Sequence, residues 1–256
     1  MAATVSIAGV ELDIVERGSG PALLFLHGGE GLGVHRSWLD QLAQRHRVIA
    51  PWHPGFGGSA LPDWIGSVDD LAYLYLDLAD KLRLDDAVIV GASFGGWVAA
   101  EMLVRSTARF AKVVLAAPLG IKVSGRDERD IADMHAMSQS EFLAHAWADP
   151  TKGVVDIAAM PDAELRGFVS GRETLCLFGW RPYMHNPRLR PWLHRIDKQT
   201  LLVWGEADLI LSPAYRLGWA ASLPHARSVT IPNAGHFPHW EQPEAFNSSV
   251  TDFLAS

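Results

Sequence analysis

Ser93 lies at the centre of the sequence Gly-Ala-Ser-Phe-Gly, a pattern that can make a serine hydroxyl a nucleophile. An apolar run at residues 87–90 precedes the pattern, and a helical pattern at residues 95–105 follows it. A sharp turn between a strand and a helix requires flanking residues with almost no side chain, and Gly91 and Gly95 satisfy that requirement. We therefore predict that Ser93 projects from the tip of the turn, near a helix N-terminus that stabilises a developing anion.

A serine hydroxyl needs a base within hydrogen-bond reach, and we predict that His236 is that base. Among the eleven histidines of the chain, His236 follows the apolar run at residues 228–231 and precedes the last predicted helix. That position places it at the carboxyl edge of the predicted sheet, where Ser93 also lies. His239 is the alternative, but Gly235 allows a tight loop that directs the His236 side chain inward.

The third member of the group should be an acid at the same sheet edge. Asp208 follows the apolar run at residues 200–204 and lies between the serine and the histidine in the chain, as the acid does in enzymes with this type of serine turn. Its carboxylate would hold one imidazole tautomer and stabilise the imidazolium without taking the proton itself. Glu206 is the alternative two residues earlier, and we expect it to be a surface carboxylate.

Acyl transfer also needs hydrogen-bond donors for the negative charge that develops on the carbonyl oxygen. We predict two backbone N–H donors: that of Phe94, directly after the nucleophile, and that of Gly29, in the loop after the third strand. Gly29 belongs to a glycine-rich stretch at residues 27–33, and glycine lets the backbone approach the reacting atoms closely. The stretch lacks both a G-x-G-x-x-G pattern and a P-loop lysine, which argues against a nucleotide site.

An alternation of strands and helices must position these residues. Short continuous apolar runs, typical of strands buried on both faces, recur at residues 22–26, 47–50, 87–90, 112–116, 200–204 and 228–231. Helical patterns separate several of them, at residues 68–84, 95–105, 214–223 and 243–254. Two further strands at residues 5–7 and 11–16 flank Gly9 like a hairpin. The alternation predicts βαβ units and a mostly parallel sheet.

Residues 119–196 interrupt this alternation because they contain no convincing buried strand. Helices are predicted near residues 128–137, 140–148 and 162–178, with prolines between them. We therefore predict a core domain of residues 1–118 and 197–256 and a helical cap of residues 119–196. A helical insertion at the carboxyl ends of parallel strands would cover the place where such sheets bind ligands. The alternative is a helical layer with no role in the site.

Composition excludes several other classes of function. A net charge of −7, without a basic cluster, argues against nucleic-acid binding. The mixed charges of residues 126–130 predict a solvated helix face.

We find no run of about eighteen apolar residues and no signal peptide, so we expect a soluble cytoplasmic protein, a monomer or homodimer, that acts on a small molecule. We expect no metal and no cofactor, because the histidines lack metal-ligand spacing and the predicted chemistry needs neither. Cys176, the one cysteine, is expected to be a small buried hydrophobe rather than a nucleophile.

With these residues assigned, the whole chain resembles the α/β-hydrolase superfamily. The resemblance is carried by His-Gly-Gly at residues 27–29, Pro-Gly-Phe-Gly-Gly-Ser at 54–59, Gly-Ala-Ser-Phe-Gly at 91–95, Gly-Glu-Ala-Asp at 205–208 and Gly-His-Phe-Pro at 235–238. It implies an α/β fold with a mostly parallel eight-stranded sheet flanked by helices and a helical cap inserted after the sixth strand.

The resemblance leaves the substrate open, because the superfamily includes esterases, lactonases, C–C bond hydrolases, dehalogenases, epoxide hydrolases and peptidases. Dehalogenases and epoxide hydrolases carry an aspartate nucleophile, whereas this chain has Ser93. C–C hydrolases of aromatic ring-cleavage pathways usually have Gly-Pro-Gly after the third strand and Trp after the base, whereas this chain has Gly29-Glu30-Gly31 and Phe237. We predict hydrolysis of a small or medium apolar ester or lactone through an acyl-enzyme. The alternatives are C–C bond hydrolysis of a vinylogous 1,5-diketone and a small-molecule receptor without turnover.

Overall fold

The computed structural model describes residues 2–33 and 36–256, and an eight-stranded sheet runs through this part of the chain. In chain order, the strands are β1 (Ala2–Ile7), β2 (Val10–Arg17), β3 (Ala22–Leu26), β4 (Arg47–Pro51), β5 (Ala87–Ala92), β6 (Phe110–Ala116), β7 (Gln199–Gly205) and β8 (Ala226–Ile231). Their order across the sheet is β1-β2-β4-β3-β5-β6-β7-β8.

The sheet is parallel from β4 onward, and only the pairings of β2 with β1 and with β4 are antiparallel among the described strands. The predicted mostly parallel sheet is therefore confirmed. Its central strands are buried on both faces: Leu24 and Ile89 belong to the apolar core on one side, and Leu23 and Val90 belong to the core on the other. This double burial explains why these strands are continuous apolar runs rather than alternating ones.

Helices flank both faces of the sheet, and two more lie in the segment between β6 and β7. They are α1 (Arg36–Leu42), α2 (Val68–Lys81), α3 (Phe94–Arg105), α4 (Gln139–Ala146), α5 (Asp162–Gly179), α6 (Pro213–Ser222), α7 (Pro238–Glu241) and α8 (Pro243–Ala255). α2 begins at a capping box in which Ser67 and Asp70 exchange side-chain and backbone hydrogen bonds. This local signal explains why the predicted start at residue 68 agrees with the structure. α1 was not predicted, because it has only seven residues and too short an apolar pattern. None of the helices within residues 2–33 and 36–256 is both long enough and apolar enough to cross a bilayer.

The segment between β6 and β7 contains α4, α5 and short 3-10 helices, as predicted for an insertion after the sixth strand. The predicted helix at residues 128–137 is wrong, and so is the solvated helix face at residues 126–130, because this stretch is irregular. Asp130 is buried, and its carboxylate accepts the backbone N–H groups of Val123 (2.7 Å) and Ser124 (3.1 Å). These side-chain-to-backbone bonds fix Asp130 in the interior rather than on a solvated face.

Candidate active site

The chain reverses sharply at Ser93, between the end of β5 and the start of α3. Ser93 has φ +49° and ψ −113°, a strained conformation for a residue with a side chain. The neighbouring glycines are required by close contacts: a Cβ atom on Gly95 would lie 2.1 Å from the Leu26 carbonyl oxygen, and one on Gly91 would lie 2.6 Å from that of Gly95. The Ser93 N–H donates to Ala116 O at 2.8 Å, so β6 helps to hold the turn.

The structure brings Ser93, His236 and Asp208 together at the carboxyl ends of β5, β8 and β7. His236 Nε2 lies 2.9 Å from Ser93 Oγ, and His236 Nδ1 lies 3.2 Å from Asp208 Oδ2. All three side chains are buried. An ionised carboxylate only accepts hydrogen bonds, so the imidazole proton lies on Nδ1 and Nε2 is able to accept the serine proton.

Backbone amides hold the Asp208 carboxylate in place. Its second oxygen, Oδ1, accepts hydrogen bonds from the N–H groups of Ile210 (2.8 Å) and Leu211 (3.2 Å). The Arg216 guanidinium donates to the carbonyl oxygens of Asp208 and Gly205, which fixes the turn after β7. Oδ2 is thereby directed at the histidine.

The alternative residues weighed from the sequence lie elsewhere. His239 is buried in an aromatic pocket, with its ring centre 5.9 Å from that of Trp38 and 5.7 Å from that of Phe246. Its Nε2 faces the Glu30 carboxylate at 3.8 Å. Glu206 is exposed. Cys176 is half-buried rather than buried, and its Sγ lies 3.5 Å from His135 Nδ1.

The two predicted backbone donors lie beneath α5. Gly29 lies so close to Leu175 that a Cβ atom at this glycine would be 2.5 Å from Leu175 Cδ2. Phe94 begins α3, and its ring stacks on that of Phe178 with 5.8 Å between centres. α5 is also held by Thr174, whose hydroxyl donates to Gly55 O at 3.1 Å. Apolar side chains of α5 therefore cover the region above Gly29 and Phe94.

A buried hydrogen-bond network behind Gly29 was missed by the sequence reasoning. His27 Nε2 accepts the backbone N–H of His53 at 3.0 Å, and His27 Nδ1 donates to Gly28 O at 2.7 Å. His53 Nε2 donates to His27 O at 2.9 Å, and His53 Nδ1 accepts the Tyr75 hydroxyl at 2.5 Å. The available signal was two histidines within two residues of the ends of the neighbouring strands β3 and β4.

Burial makes the contribution of this network to the stability of the protein depend on pH. It lowers the pKa of His53 from 6.5 to about 4, because the protonated ring is poorly solvated, and it raises the pKa of Tyr75. The unfolded chain therefore binds a proton on His53 at a pH where the native protein does not. The stabilising contribution is complete above pH 6.5 and is lost as the pH falls toward 4.

We expect the free energy of unfolding of the wild type to fall by about 3 kcal/mol more than that of His53→Gln between neutral pH and about pH 4. Denaturant unfolding at several pH values measures the difference. His225→Gln is a matched control, because His225 is exposed, and it should keep the wild-type pH dependence. Equal slopes for the wild type and His53→Gln would contradict a neutral, buried His53.

Comparison with known proteins agrees with this architecture. Residues 23–249 match the model of the alpha/beta hydrolase family. The chain is 26% identical to 2-hydroxy-6-oxo-6-phenylhexa-2,4-dienoate hydrolase of Burkholderia cepacia, over 98% of this chain and 93% of that one. It is 27% identical to pimeloyl-[acyl-carrier protein] methyl ester esterase of Nitrosospira multiformis, over 95% and 98% of the two chains.

A solved structure shows the same fold at lower identity. The meta-cleavage product hydrolase CumD of Pseudomonas fluorescens IP01 superposes with a TM-score of 0.81 at 22% identity, covering 99% of this chain and 97% of that one. These similar proteins are hydrolases of more than one kind, which supports hydrolase activity without identifying the bond that is cleaved. Because the family model covers most of the sequence, this chain belongs to the alpha/beta hydrolase family.

Proposed function

We propose that the protein is a serine hydrolase that cleaves a small or medium apolar carboxylic ester or lactone through an acyl-enzyme. The observation that carries the proposal is the buried, continuous hydrogen-bond chain from Ser93 Oγ through the His236 ring to Asp208. A serine, a neutral imidazole and a carboxylate in this order are the groups that acyl transfer requires.

In the proposed reaction, Ser93 Oγ attacks the substrate carbonyl carbon while His236 Nε2 takes the hydroxyl proton. The resulting imidazolium is stabilised by Asp208 at Nδ1. Collapse of the tetrahedral intermediate breaks the bond to the leaving oxygen, which takes the proton from Nε2. Water, activated by His236, then hydrolyses the acyl-enzyme and releases the acid and the free Ser93. These groups supply every proton transfer, so we propose that no cofactor takes part.

The N–H groups of Gly29 and Phe94 are proposed to bind the oxyanion. In a trans peptide, the C=O of one residue and the N–H of the next point in opposite directions. His27 Nδ1 holds Gly28 O at 2.7 Å, which turns the Gly29 N–H to the other side of the peptide plane, away from the His27 ring. A donor fixed before the reaction stabilises the developing charge without reorganisation.

An apolar substrate fits the residues around this centre. Leu175 and Phe178 of α5 lie over Gly29 and Phe94, and Phe237 packs against both His236 and Trp147. We propose that residues 119–196 act as the cap over this region. Ligand cavities of this kind are mostly hydrophobic with a few polar groups that fix orientation.

C–C bond hydrolysis is the second candidate, because the Burkholderia cepacia relative named above is a dienoate hydrolase that matches nearly the whole chain. Two features of this chain favour the ester instead. Ala92 precedes the nucleophile and Phe237 follows the base, so neither position adds a polar group beside the reacting atoms.

We expect p-nitrophenyl esters of short and medium chains to be hydrolysed faster than a dienol–ketone substrate. Steady-state rates on both substrates test this expectation. Faster turnover of the dienol–ketone would replace ester by C–C hydrolysis, and saturable binding without product would indicate a receptor.

A further inference from the structure

Glu241, at the end of α7, is a buried carboxylate that bonds to the loop of the proposed base. Its Oε2 accepts the N–H of Gly235 at 2.6 Å, one residue before His236. Its Oε1 accepts the N–H groups of Ala148 and Asp149, each at 3.0 Å. One carboxylate thus joins the base loop to the chain that follows α4.

The end of α4 bonds to the same region through its backbone. The last carbonyl groups of a helix have no partner within the helix. Here the His145 carbonyl accepts the N–H of Leu209 at 2.9 Å, and the Ala146 carbonyl accepts the N–H of His236 at 2.7 Å. Consecutive carbonyls of α4 therefore hold the loop after β7 that carries Asp208, the acid loop, and the loop after β8 that carries His236, the base loop.

Packing leaves no room for a side chain at Gly235 in the base loop or at Gly205 beside it. A Cβ atom on Gly235 would lie 2.3 Å from the Ala146 carbonyl oxygen, and one on Gly205 would lie 1.9 Å from that of Gly235. The loop is enclosed between the end of β7 and the end of α4. A displacement of α4 would therefore move the His236 backbone directly.

We propose that Glu241 is a positioning residue for His236 and that α4 belongs to the fixed frame of the active site. The inference rests on the proposed role of His236 as the base. A carboxylate suits this place because both oxygens only accept hydrogen bonds, whereas the amide of glutamine would direct N–H donors at one of the backbone N–H groups. Loss of these hydrogen bonds shifts the His236 imidazole relative to Ser93 Oγ.

In Glu241→Gln we expect kcat to fall by about 100-fold with little change in KM, since a displacement of about 1 Å at a catalytic group has an effect of that size. Glu241→Asp keeps both oxygens but is one methylene shorter, and it should fall between the wild type and Glu241→Gln. Asp130→Asn is the matched control, because Asp130, which lies in the insertion, is also a buried carboxylate that accepts backbone N–H groups. It should lose stability while keeping kcat.

Rates are compared well below the unfolding temperature of each variant, so that all molecules are folded. A second measurement does not depend on turnover: the proton NMR signal of the His236 Nδ1–H, assigned by its absence in His236→Asn. We expect this signal to broaden in Glu241→Gln and to persist in Asp130→Asn.

An unchanged signal together with wild-type kcat in Glu241→Gln would overturn the positioning role, as would an equal loss of kcat in Asp130→Asn. If ester hydrolysis survived in Ser93→Ala, the proposed function would be refuted. A changed His236 signal in Glu241→Gln would in that case still support the contacts that position His236.

Discussion

Replacing Ser93 with alanine is expected to lower kcat for ester hydrolysis by about 10⁶-fold, since removal of the proposed nucleophile removes the proposed acyl-enzyme route. The variant keeps the strained turn, because alanine can occupy the same backbone conformation and the Ser93 N–H bond to Ala116 O is unaffected. Fluorophosphonate labelling, followed by mass spectrometry, should modify the wild type at Ser93 and leave the variant unmodified.

Ser106→Ala is the matched control for this experiment. Ser106 lies at the other end of α3, where it caps the helix, and it should keep both turnover and labelling at wild-type levels. If Ser93→Ala retained more than a trace of the wild-type rate, a different nucleophile would have to be sought.

Asp208→Asn is expected to lower kcat by about 10⁴-fold while leaving the fold intact. In the variant, the amide oxygen should stay with the N–H groups of Ile210 and Leu211, because only an oxygen accepts them. The amide nitrogen would then face His236 Nδ1 and donate to it. That arrangement places the ring proton on Nε2, where it blocks acceptance of the Ser93 proton.

The pH–rate profile and kcat of Asp208→Asn are compared with those of Glu206→Gln. Glu206 lies two residues earlier and is exposed, so the Glu206→Gln variant should keep the kcat and the pH–rate profile of the wild type. A large loss in Glu206→Gln, or wild-type activity in Asp208→Asn, would show that the acid is misassigned.

Much of the fold could be predicted from local sequence because burial on both faces of a parallel sheet leaves a local pattern. β3 and β5 are continuous apolar runs, and each ends in glycine-containing turns that carry Gly29 and Ser93 to the same edge. The carboxyl ends of parallel strands meet at one edge, so His236 and Asp208 could be predicted there as well.

Contacts between distant segments left no such pattern. The hydrogen bond from His53 to His27 joins residues 26 apart, and that from Ala148 to Glu241 joins residues 93 apart. No periodicity links such pairs, and each histidine or glutamate alone is typical of a surface group. The helix predicted at residues 128–137 was wrong for a related reason, since Asp130 is held by the backbone N–H groups of Val123 and Ser124, a contact that no helical periodicity reveals.

The bonds from α4 to the acid and base loops also set rules for building chimeric enzymes. If residues 119–196 form the proposed cap, exchange of the segment between β6 and β7 is a way to change specificity, and its natural crossover points are the ends of those strands. A crossover there would replace α4, whose His145 and Ala146 carbonyls hold the backbone of Leu209 and His236. The first crossover belongs after Asp149, so that α4 is inherited with the sheet and α5 is exchanged with the incoming specificity.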